Sequence, residues 1–475
     1  MSGAAAGPLA RRVAQNTLAQ GVGKGLVLLI GAGSVALATR YLGPSDYGKF
    51  ALALAFMQMF GVLADIGLLT IAVREISKMP ERTEEIVGNT LTLRLLLSLG
   101  AIVLSALAAL AIGYPRDVRL AILIAGVPLV LGLANTSMVA VFQARLMMSR
   151  AAVADVAGRA AGFAALIAVA ALDLGFYAVV GTAAVGAAIT LCVTWALARR
   201  LVRIRPLATR AVWRTLILTS LPVGATLAVN EIYFRADTFI ISLYRDYDQV
   251  GAYSLAFRII ELLGIFPAIV MTSIFPLLSR YIADNRALAG RTLDAAAAVF
   301  AAVGAPLAAG GLVVAPQLIS LVAGDGFEQA ETPLRLLLFA GGLAALSGLF
   351  GYALIAAGRQ RSALTLSLVV LFSNLALNFA LVPSLGVDAA AAVAVGSEAL
   401  MLGGGLLLVR RHVGWLPGPA PLWRSVLAAT GMAAAMWPLD DGSLALLLPL
   451  GVAVYAVLLY LLGGFDRRAW EALRA

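Results

Sequence analysis

The chain has 475 residues, of which 61% are hydrophobic and only 13% are charged, whereas soluble domains carry about 25% charged residues. This composition excludes a soluble globular protein, because a soluble core cannot enclose so much apolar surface. A single His and a single Cys accompany the formal net charge of +10, which excludes a disulfide framework and most metal sites built from side chains.

Apolar runs separated by Arg, Pro, Gly and Asp predict about fourteen transmembrane helices, give or take one. The first six spans are predicted at 16–39, 48–73, 87–112, 118–144, 151–172 and 177–198. The next six are predicted at 214–242, 250–279, 292–321, 333–357, 363–382 and 387–409. A last pair follows at 423–438 and 443–463. The sequence therefore predicts an all-α, polytopic membrane protein.

The connections between these spans are short. None is longer than about twenty residues, which leaves no room for a folded catalytic domain outside the membrane. We therefore expect no catalytic residues and no enzyme activity, and we expect the helices themselves to carry the function.

The basic residues indicate how the chain is oriented. They alternate with hydrophobic runs instead of forming one patch with interleaved aromatic residues, so they do not indicate nucleic-acid binding. Twenty-four Lys and Arg residues lie at the N-terminus and in the even-numbered connections. The opposite face has six, namely Arg40, Lys49, Arg116, Arg119, Arg245 and Arg335. By the positive-inside rule, both termini are predicted to be cytoplasmic.

Two pairs of segments indicate an internal repeat. Tyr41–Leu54 aligns without gaps with Tyr244–Phe257 at an offset of 203 residues. Arg150–Val180 aligns with Arg361–Ala391 at an offset of 211 residues. The similar offsets predict a six-plus-six parallel duplication, an architecture that places the transport path between two lobes. The predicted lobes are 1–205 and 206–412, followed by two extra helices and a cytoplasmic tail in 413–475.

Four segments carry a resemblance to a known family. Arg40–Gly48 (RYLGPSDYG) resembles the start of the polysaccharide transporter and oligosaccharide flippase families of the MATE-like (MOP) exporter superfamily. Leu63–Lys78, Asp237–Arg258 and Asn374–Val395 resemble later segments of these families in order and spacing. The resemblance implies a V-shaped pair of six-helix lobes that moves an isoprenoid-diphosphate-linked oligosaccharide to the outer leaflet by alternating access. It also implies a cationic central cavity.

Three cations within spans are candidates for that cavity. An ionisable side chain in a span costs at least about 2.5–3.5 kcal/mol on insertion scales, so it is expected to face a cavity or a partner. Lys24 and Arg94 have no acid one helical turn away, whereas Arg258 has Glu261. We predict that Lys24, Arg258 and Arg94 bind the anionic headgroup. The alternatives are snorkelling to the interface, or pairing, with Glu261 for Arg258 and with Asp65 for Arg94.

Acidic residues in the spans are candidates for ion coupling or for a gate. Glu231 and Arg235 lie four residues apart in the favourable order and can simply neutralise each other. Alternatively, Glu231 or Asp237 carries a coupling proton or Na⁺. Asp65 is predicted to form a gate contact, or alternatively a structural one. No other cofactor and no metal site are expected.

Further polar groups lie within the predicted spans. Asp155 and Arg159 are predicted to form a structural pair. Asn374 and Asn378 share one face of span 11, where interhelical hydrogen bonding is expected and sugar contact is the alternative. Glu398 stands alone in span 12 and is a weaker candidate for the cavity.

The sequence thus predicts a flippase for lipid-linked oligosaccharide in the plasma or inner membrane. Membrane lipids surround it, and polysaccharide polymerases or glycosyltransferases of the same pathway are its expected partners. The alternatives are a MATE-like, cation-coupled multidrug or metabolite antiporter, and a flippase for a lipid II-type peptidoglycan precursor. A membrane-embedded glycosyltransferase is disfavoured, because the sequence shows no converging carboxylates or His and no large outer loop.

Overall fold

A computed structural model describes residues 6–263, 265–440 and 442–464. In these ranges the regular structure is helical and no β-strand occurs, so the prediction of an all-helical polytopic chain is confirmed. The two chain ends, which the sequence predicts to be cytoplasmic, lie outside the described residues.

The chain divides into two compact units, Met1–Phe239 and Ile240–Ala475. The helices of the first unit are α1 (Ala6–Asp65), α2 (Leu68–Lys78), α3 (Thr83–Ile112), α4 (Arg116–Ala144), α5 (Met148–Ala171), α6 (Phe176–Ala198) and most of α7 (Arg210–Tyr244). Those of the second unit are α8 (Tyr247–Leu263), α9 (Ile265–Asp284), α10 (Arg286–Ala323), α11 (Glu331–Ala356), α12 (Gln360–Leu385), α13 (Val387–His412), α14 (Pro419–Met436) and α15 (Leu444–Leu461). The lobe boundaries predicted at residues 205 and 412 stay predictions.

The helices agree closely with the predicted spans. Within the described ranges, eleven helical stretches are long and apolar enough to cross a membrane, and they overlap twelve of the fourteen predicted spans. The predicted span at 250–279 corresponds to α8 and α9, which lie on either side of residue 264, a position outside the described residues. The short predicted span at 423–438 corresponds to α14.

Helix α1 contains the first predicted span and most of the second, whose last residues lie in α2, and it is interrupted between the two spans at Gly43, where φ is 69° and ψ is 177°. A residue with a side chain would be strained at this φ, so glycine suits the position. Pro44 follows and has no backbone N–H, so it cannot restore the helical hydrogen bond lost at the interruption. The Gly-Pro pair of the RYLGPSDYG segment is therefore the connection between the two predicted spans.

Helix α3 has an apolar exposed face and a partly polar buried face. Beyond its first turn, its exposed large side chains are apolar and include Leu96, Leu99, Val103, Leu104, Leu107 and Leu110. Its buried side chains include Arg94, Ser98 and Ser105. Apolar groups outside and polar groups inside are expected of a helix whose outer face lies in lipid.

Each unit has its own hydrophobic core. In the first unit, α2, α3 and α4 meet around Ile76, Val87 and Val141. In the second unit, a larger cluster joins α9, α10, α11 and α13 and includes Phe300 and Leu349, both with no exposed surface. Because these cores join helices that are distant in sequence, they hold the functional side chains in place.

The segments that repeat in the sequence also meet in the structure. In the first unit, Tyr41 donates its hydroxyl hydrogen to Asp173 Oδ1 at 2.8 Å. The same hydroxyl oxygen accepts the N–H of Gly175 at 2.9 Å. The first repeated segment is thereby tied to the connection between α5 and α6, which belongs to the second repeated segment.

An equivalent contact occurs in the second unit. Arg245, next to Tyr244, donates from Nε to the Val382 carbonyl at 3.0 Å and from Nη2 to the Pro383 carbonyl at 2.9 Å. This ties the repeated segment to the last turn of α12, just before the connection to α13. Gly175 and Gly386, which align in the repeat, both have positive φ, at 80° and 73°. In each unit, a side chain of the first repeated segment thus makes hydrogen bonds to the second repeated segment, although the residues that make them differ.

Candidate functional site

Arg94 is the most deeply buried of the predicted site residues, with an exposed fraction of 0%. From α3, its Nη2 donates to Oδ1 of Asp65 at the end of α1. Its Nη1 donates to the Thr136 hydroxyl of α4 at 2.6 Å and approaches the Ser137 hydroxyl at 3.4 Å. Its Nε has no hydrogen-bond partner among the described residues. The pairing of Arg94 with Asp65 that the sequence suggested is therefore present, and Arg94 crosslinks three helices.

The Asp65 side chain keeps 32% of its surface exposed, and the backbone turns sharply just beyond it. Ile66 has a φ of 37° and Gly67 a φ of 77°, and this left-handed backbone ends α1 before α2 begins. Gly224 of α7 lies against the turn so closely that a Cβ there would come within 2.7 Å of the Ile66 backbone. The Arg94–Asp65 pair thus lies at a helix break that packs on α7.

Lys24 lies on α1 and is exposed. The preceding Gly23 packs against Ala152 of α5. No ion pair of Lys24 is found in the described parts of the chain. An exposed ammonium group in this position is accessible to an anionic ligand.

Arg258 of α8 pairs with Glu261 of the same helix, three residues later. Both side chains are partly exposed, at 39% and 35%. The local pairing that the sequence left open is therefore present. Arg258 and Lys24 lie in different compact units.

Three of the candidate residues lie together on α7. Arg235 Nε and Glu231 Oε1 are 3.2 Å apart, as expected for a pair at four-residue spacing. Asp237 is buried, with 6% of its surface exposed. This part of α7 therefore carries a buried carboxylate two residues beyond a neutralised pair.

A buried hydrogen-bond network joins α12 to α13 in the second unit. Asn374 donates from Nδ2 to the Ser397 hydroxyl at 3.1 Å. Asn378 donates to the backbone carbonyl and side-chain Oδ1 of Asn374, at 3.0 and 3.1 Å. The expected interhelical hydrogen bonding is thus observed for Asn374.

Glu398 is not isolated, contrary to the sequence-based expectation. The Ser347 hydroxyl of α11 donates to Glu398 Oε2 at 2.9 Å. The two residues are 51 positions apart in the chain, so local spacing could not reveal the contact. The Asp155–Arg159 pair, by contrast, is local and is present at 3.7 Å between side chains that are half exposed.

One charged cluster was missed by the sequence analysis. Lys49 Nζ lies 3.0 Å from Asp46 Oδ1 and 2.8 Å from Asp117 Oδ2, which joins α1 to the start of α4. The three-residue spacing of Asp46 and Lys49 was a usable signal, but nothing in the spacing pointed to Asp117. Within the described residues, no group of three His, Cys, Asp or Glu side chains is arranged to hold a metal ion.

Two family models match the chain. One is described as polysaccharide biosynthesis protein and matches residues 13–282. The other is described as MatE and matches residues 222–380. A search of the curated proteins finds no relative that matches.

Solved membrane-transporter structures share the fold. The lipid II flippase MurJ, in an inward closed conformation, is similar with a TM-score of 0.77 and 13% identity over 92% of this chain and 97% of that chain. An inward-facing multidrug resistance MATE family transporter of the MOP superfamily is similar with a TM-score of 0.62 and 17% identity over 82% and 94%. A MOP superfamily transporter from Pyrococcus furiosus gives a TM-score of 0.55 and 15% identity over 85% and 95%. The expected MATE-like fold is confirmed.

Proposed function

Because the chain belongs to the polysaccharide biosynthesis protein family, we propose that it is a flippase that moves an isoprenoid-diphosphate-linked oligosaccharide from the cytoplasmic to the outer leaflet. The observation that carries the proposal is this family match over more than half of the chain. The fold it shares with a lipid II flippase supports it. The protein acts in the plasma or inner membrane, with both termini in the cytoplasm.

The diphosphate headgroup is the part of such a substrate that needs cations. Lys24 provides an exposed point charge, and Arg258 provides a partly exposed guanidinium that can hold phosphate with two parallel hydrogen bonds. We expect each of them to contact the headgroup at a different stage of transport.

Arg258 must exchange partners in order to bind the headgroup. Its carboxylate partner Glu261 lies on the same helix, so the exchange begins with the loss of a local ion pair. A pair of this kind keeps the cation neutralised until the diphosphate arrives.

Arg94 acts at a gate in this proposal, rather than at the headgroup. Its guanidinium is buried and is already bonded to Asp65 and Thr136. The pair lies at the break between α1 and α2, where α7 packs. Opening this contact would free the helix break to move, whereas a diphosphate would have to displace a buried partner to reach Arg94.

Ion coupling is assigned to α7. Asp237 is buried, and a desolvated carboxylate is the kind of group that binds a proton or Na⁺ during transport. Glu231 is the second candidate, and Arg235 forms an ion pair with it. Transport should therefore respond to a Na⁺ or proton gradient, and Asp237→Asn should remove that response.

The proposal is tested with the double variant Lys24→Ala/Arg258→Ala in cells that lack the native copy. Membrane-impermeant periodate oxidises vicinal sugar diols on intact cells and so reports lipid-linked sugar in the outer leaflet for any glycan with free vicinal hydroxyls. We expect at least a tenfold loss of this signal relative to the total lipid-linked sugar measured after lysis, because the headgroup loses both cations.

Arg280→Ala is the matched control, because Arg280 is an exposed cation whose only described ion pair is with Asp284 on the same helix. It should flip substrate at the wild-type rate. Wild-type flux in the double variant, with an unchanged yield of monodisperse protein, would remove Lys24 and Arg258 from the site.

The second candidate function is a cation-coupled multidrug or metabolite antiporter, which the MatE match over residues 222–380 favours. Such a transporter handles cationic substrates and needs exposed carboxylates rather than exposed cations. Uptake of a cationic dye into everted vesicles, driven by a Na⁺ or proton gradient, distinguishes the two. Dye transport by the wild type together with no loss of periodate-accessible sugar in a null strain would favour the antiporter.

A lipid II-type peptidoglycan precursor is the third candidate cargo, because a structure with this fold is a lipid II flippase. Both lipid cargoes carry a diphosphate, so Lys24 and Arg258 would act alike on them. Rescue of growth in cells depleted of their own lipid II flippase separates the two cargoes. Polymerases and glycosyltransferases of the same pathway are the proposed partners in either case.

A further inference from the structure

The second unit contains a cavity of about 600 Å³ that the proposed transport function does not use. It lies where α10 ends, α11 begins and α14 is connected to α15. The predicted topology puts these helix ends on the outer side of the membrane. The pair α14 and α15 lies beyond the predicted six-plus-six repeat, so the repeat does not predict an equivalent cavity in the other lobe.

The charged groups around the cavity are of both signs. Arg335 provides a guanidinium, and Glu331 and Asp440 provide two carboxylates. Glu331 and Arg335 are four residues apart on α11, yet no ion pair between them is found among the described residues. A ligand that carries both a negative and a positive group would satisfy all three side chains.

Two buried polar atoms at the cavity lack hydrogen-bond partners among the described residues. One is a donor, Nε of Arg335, and the other is an acceptor, Oε1 of Gln317. The amide nitrogen of Gln317 donates to the Asp440 carbonyl, which fixes the orientation of the side chain. Leaving such groups unpaired in a buried place is unfavourable, because each has lost its hydrogen bonds to water. The ligand should therefore supply both an acceptor oxygen and an N–H or O–H donor.

The rim of the cavity is apolar and faces outward. Trp437 has 61% of its surface exposed, and tryptophan is enriched at the membrane–water interface. Leu312 and Leu321 of α10 also line the cavity and are exposed at 38% and 58%. A lipid whose headgroup binds in the cavity would place its hydrocarbon chains in contact with these leucines.

We infer that this cavity binds the headgroup of a zwitterionic phospholipid with a primary ammonium group, that is, a phosphoethanolamine headgroup. The phosphate oxygens accept hydrogen bonds from Arg335, and the ammonium group donates to Glu331, Asp440 and Gln317. A quaternary choline headgroup has no N–H to donate to Gln317. A glycerol headgroup carries no positive charge to balance the two carboxylates. The bound lipid would hold α14 and α15 against α10 and α11.

The test uses full-length protein in mild detergent, incubated with equimolar dioleoyl phosphatidylethanolamine, phosphatidylglycerol and phosphatidylcholine. Native mass spectrometry then counts the lipids that remain bound. We expect the wild type to retain one phosphatidylethanolamine with at least tenfold preference over the other two lipids. Equal retention of the three lipids would overturn the inference, as would displacement of the bound lipid by a soluble disaccharide.

Two variants connect that preference to the cavity. Glu331→Gln/Asp440→Asn preserves side-chain shape and should abolish the preference for phosphatidylethanolamine. Glu331→Lys should turn the preference towards phosphatidylglycerol, a gain that misfolding cannot mimic. Arg280→Ala/Asp284→Asn removes an exposed Arg–Asp pair elsewhere in the same unit and should retain the wild-type preference. A double variant Glu331→Gln/Asp440→Asn that binds phosphatidylethanolamine like the wild type would refute the assignment.

Discussion

Arg94 holds its charge at a position with no exposed surface, and Asp65 is its ion-pair partner. The two side chains of this pair are buried to different degrees. Asp65 keeps 32% of its side-chain surface exposed, whereas Arg94 has none exposed. Removing the acid leaves a cation in a buried place, whereas removing the cation leaves an acid that can still be solvated. The free energy of unfolding should therefore depend strongly on which partner is replaced.

Asp65→Asn is expected to destabilise the protein by about 3 kcal/mol, the low end of the range for a buried charge that loses its partner. Arg94→Met should cost less, and the double variant Asp65→Asn/Arg94→Met should recover part of the loss in Asp65→Asn. Thermal unfolding in detergent measures all three. Asp155→Asn is the matched control, since Asp155 pairs with an arginine in an exposed place and should change little. Equal melting temperatures for Asp65→Asn and Asp155→Asn would contradict the argument.

The Tyr41 hydroxyl makes two hydrogen bonds: it donates to the Asp173 carboxylate and accepts the backbone N–H of Gly175. Tyr41→Phe removes both hydrogen bonds and preserves the ring, so we expect a melting temperature a few degrees below that of the wild type. Tyr244→Phe is the control at the repeated position, where the ring packs edge-on against Phe379. That variant should have the same melting temperature as the wild type. An equal decrease in melting temperature in both variants would show that the two hydrogen bonds of the Tyr41 hydroxyl do not cause the decrease.

At the scale of elements, the main feature is the contact between the break after α1 and helix α7. Two consecutive residues with positive φ, Ile66 and Gly67, end α1, and Gly224 lets α7 approach their backbone. A rigid backbone leaves less room for adjustment than a flexible side chain would. This contact therefore depends on the absence of a single methyl group.

Gly224→Ala is expected to destabilise the protein by about 1–3 kcal/mol, because the added Cβ overpacks the contact. Gly132→Ala is the control, since a Cβ at Gly132 of α4 would meet nothing within 4 Å. That change should be neutral, or stabilising by up to about 1 kcal/mol through helix propensity. Thermal unfolding in detergent distinguishes the two, and a Gly224→Ala variant as stable as Gly132→Ala would show that the helices can separate freely at this point.

At the scale of the whole molecule, the orientation of the spans is a prediction from the distribution of basic residues. Cys192 is exposed, so it is first replaced by Ser. In that background, Asp325→Cys, between α10 and α11, should react with a membrane-impermeant maleimide on intact cells. Gln360→Cys, at the start of α12, should react only after permeabilisation. The reverse pattern would invert the topology.

The spans could be predicted from the sequence because lipid-facing helices carry long runs of apolar residues, as the exposed face of α3 does. Pairs within one helix, such as Glu231–Arg235, followed from spacing. Contacts between helices did not: Tyr41 and Asp173 are 132 residues apart, and Ser347 and Glu398 are 51. The break at Ile66 was missed, since isoleucine gives no sign of a positive φ and the apolar run continues through it. The roles of Lys24 and Arg258 stay predictions.

The order of residues in the Arg94 cluster bears on how the protein is made. Asp65 precedes Arg94 by 29 residues, whereas Thr136 follows it by 42. During synthesis, the carboxylate reaches the membrane before the arginine does, and the hydroxyl arrives afterwards. An arginine at the centre of a lone helix costs about 2.5–3.5 kcal/mol to insert. Because its counter-ion is already in the bilayer, α3 can enter as a neutral pair, and nascent-chain insertion of α3 should depend on Asp65.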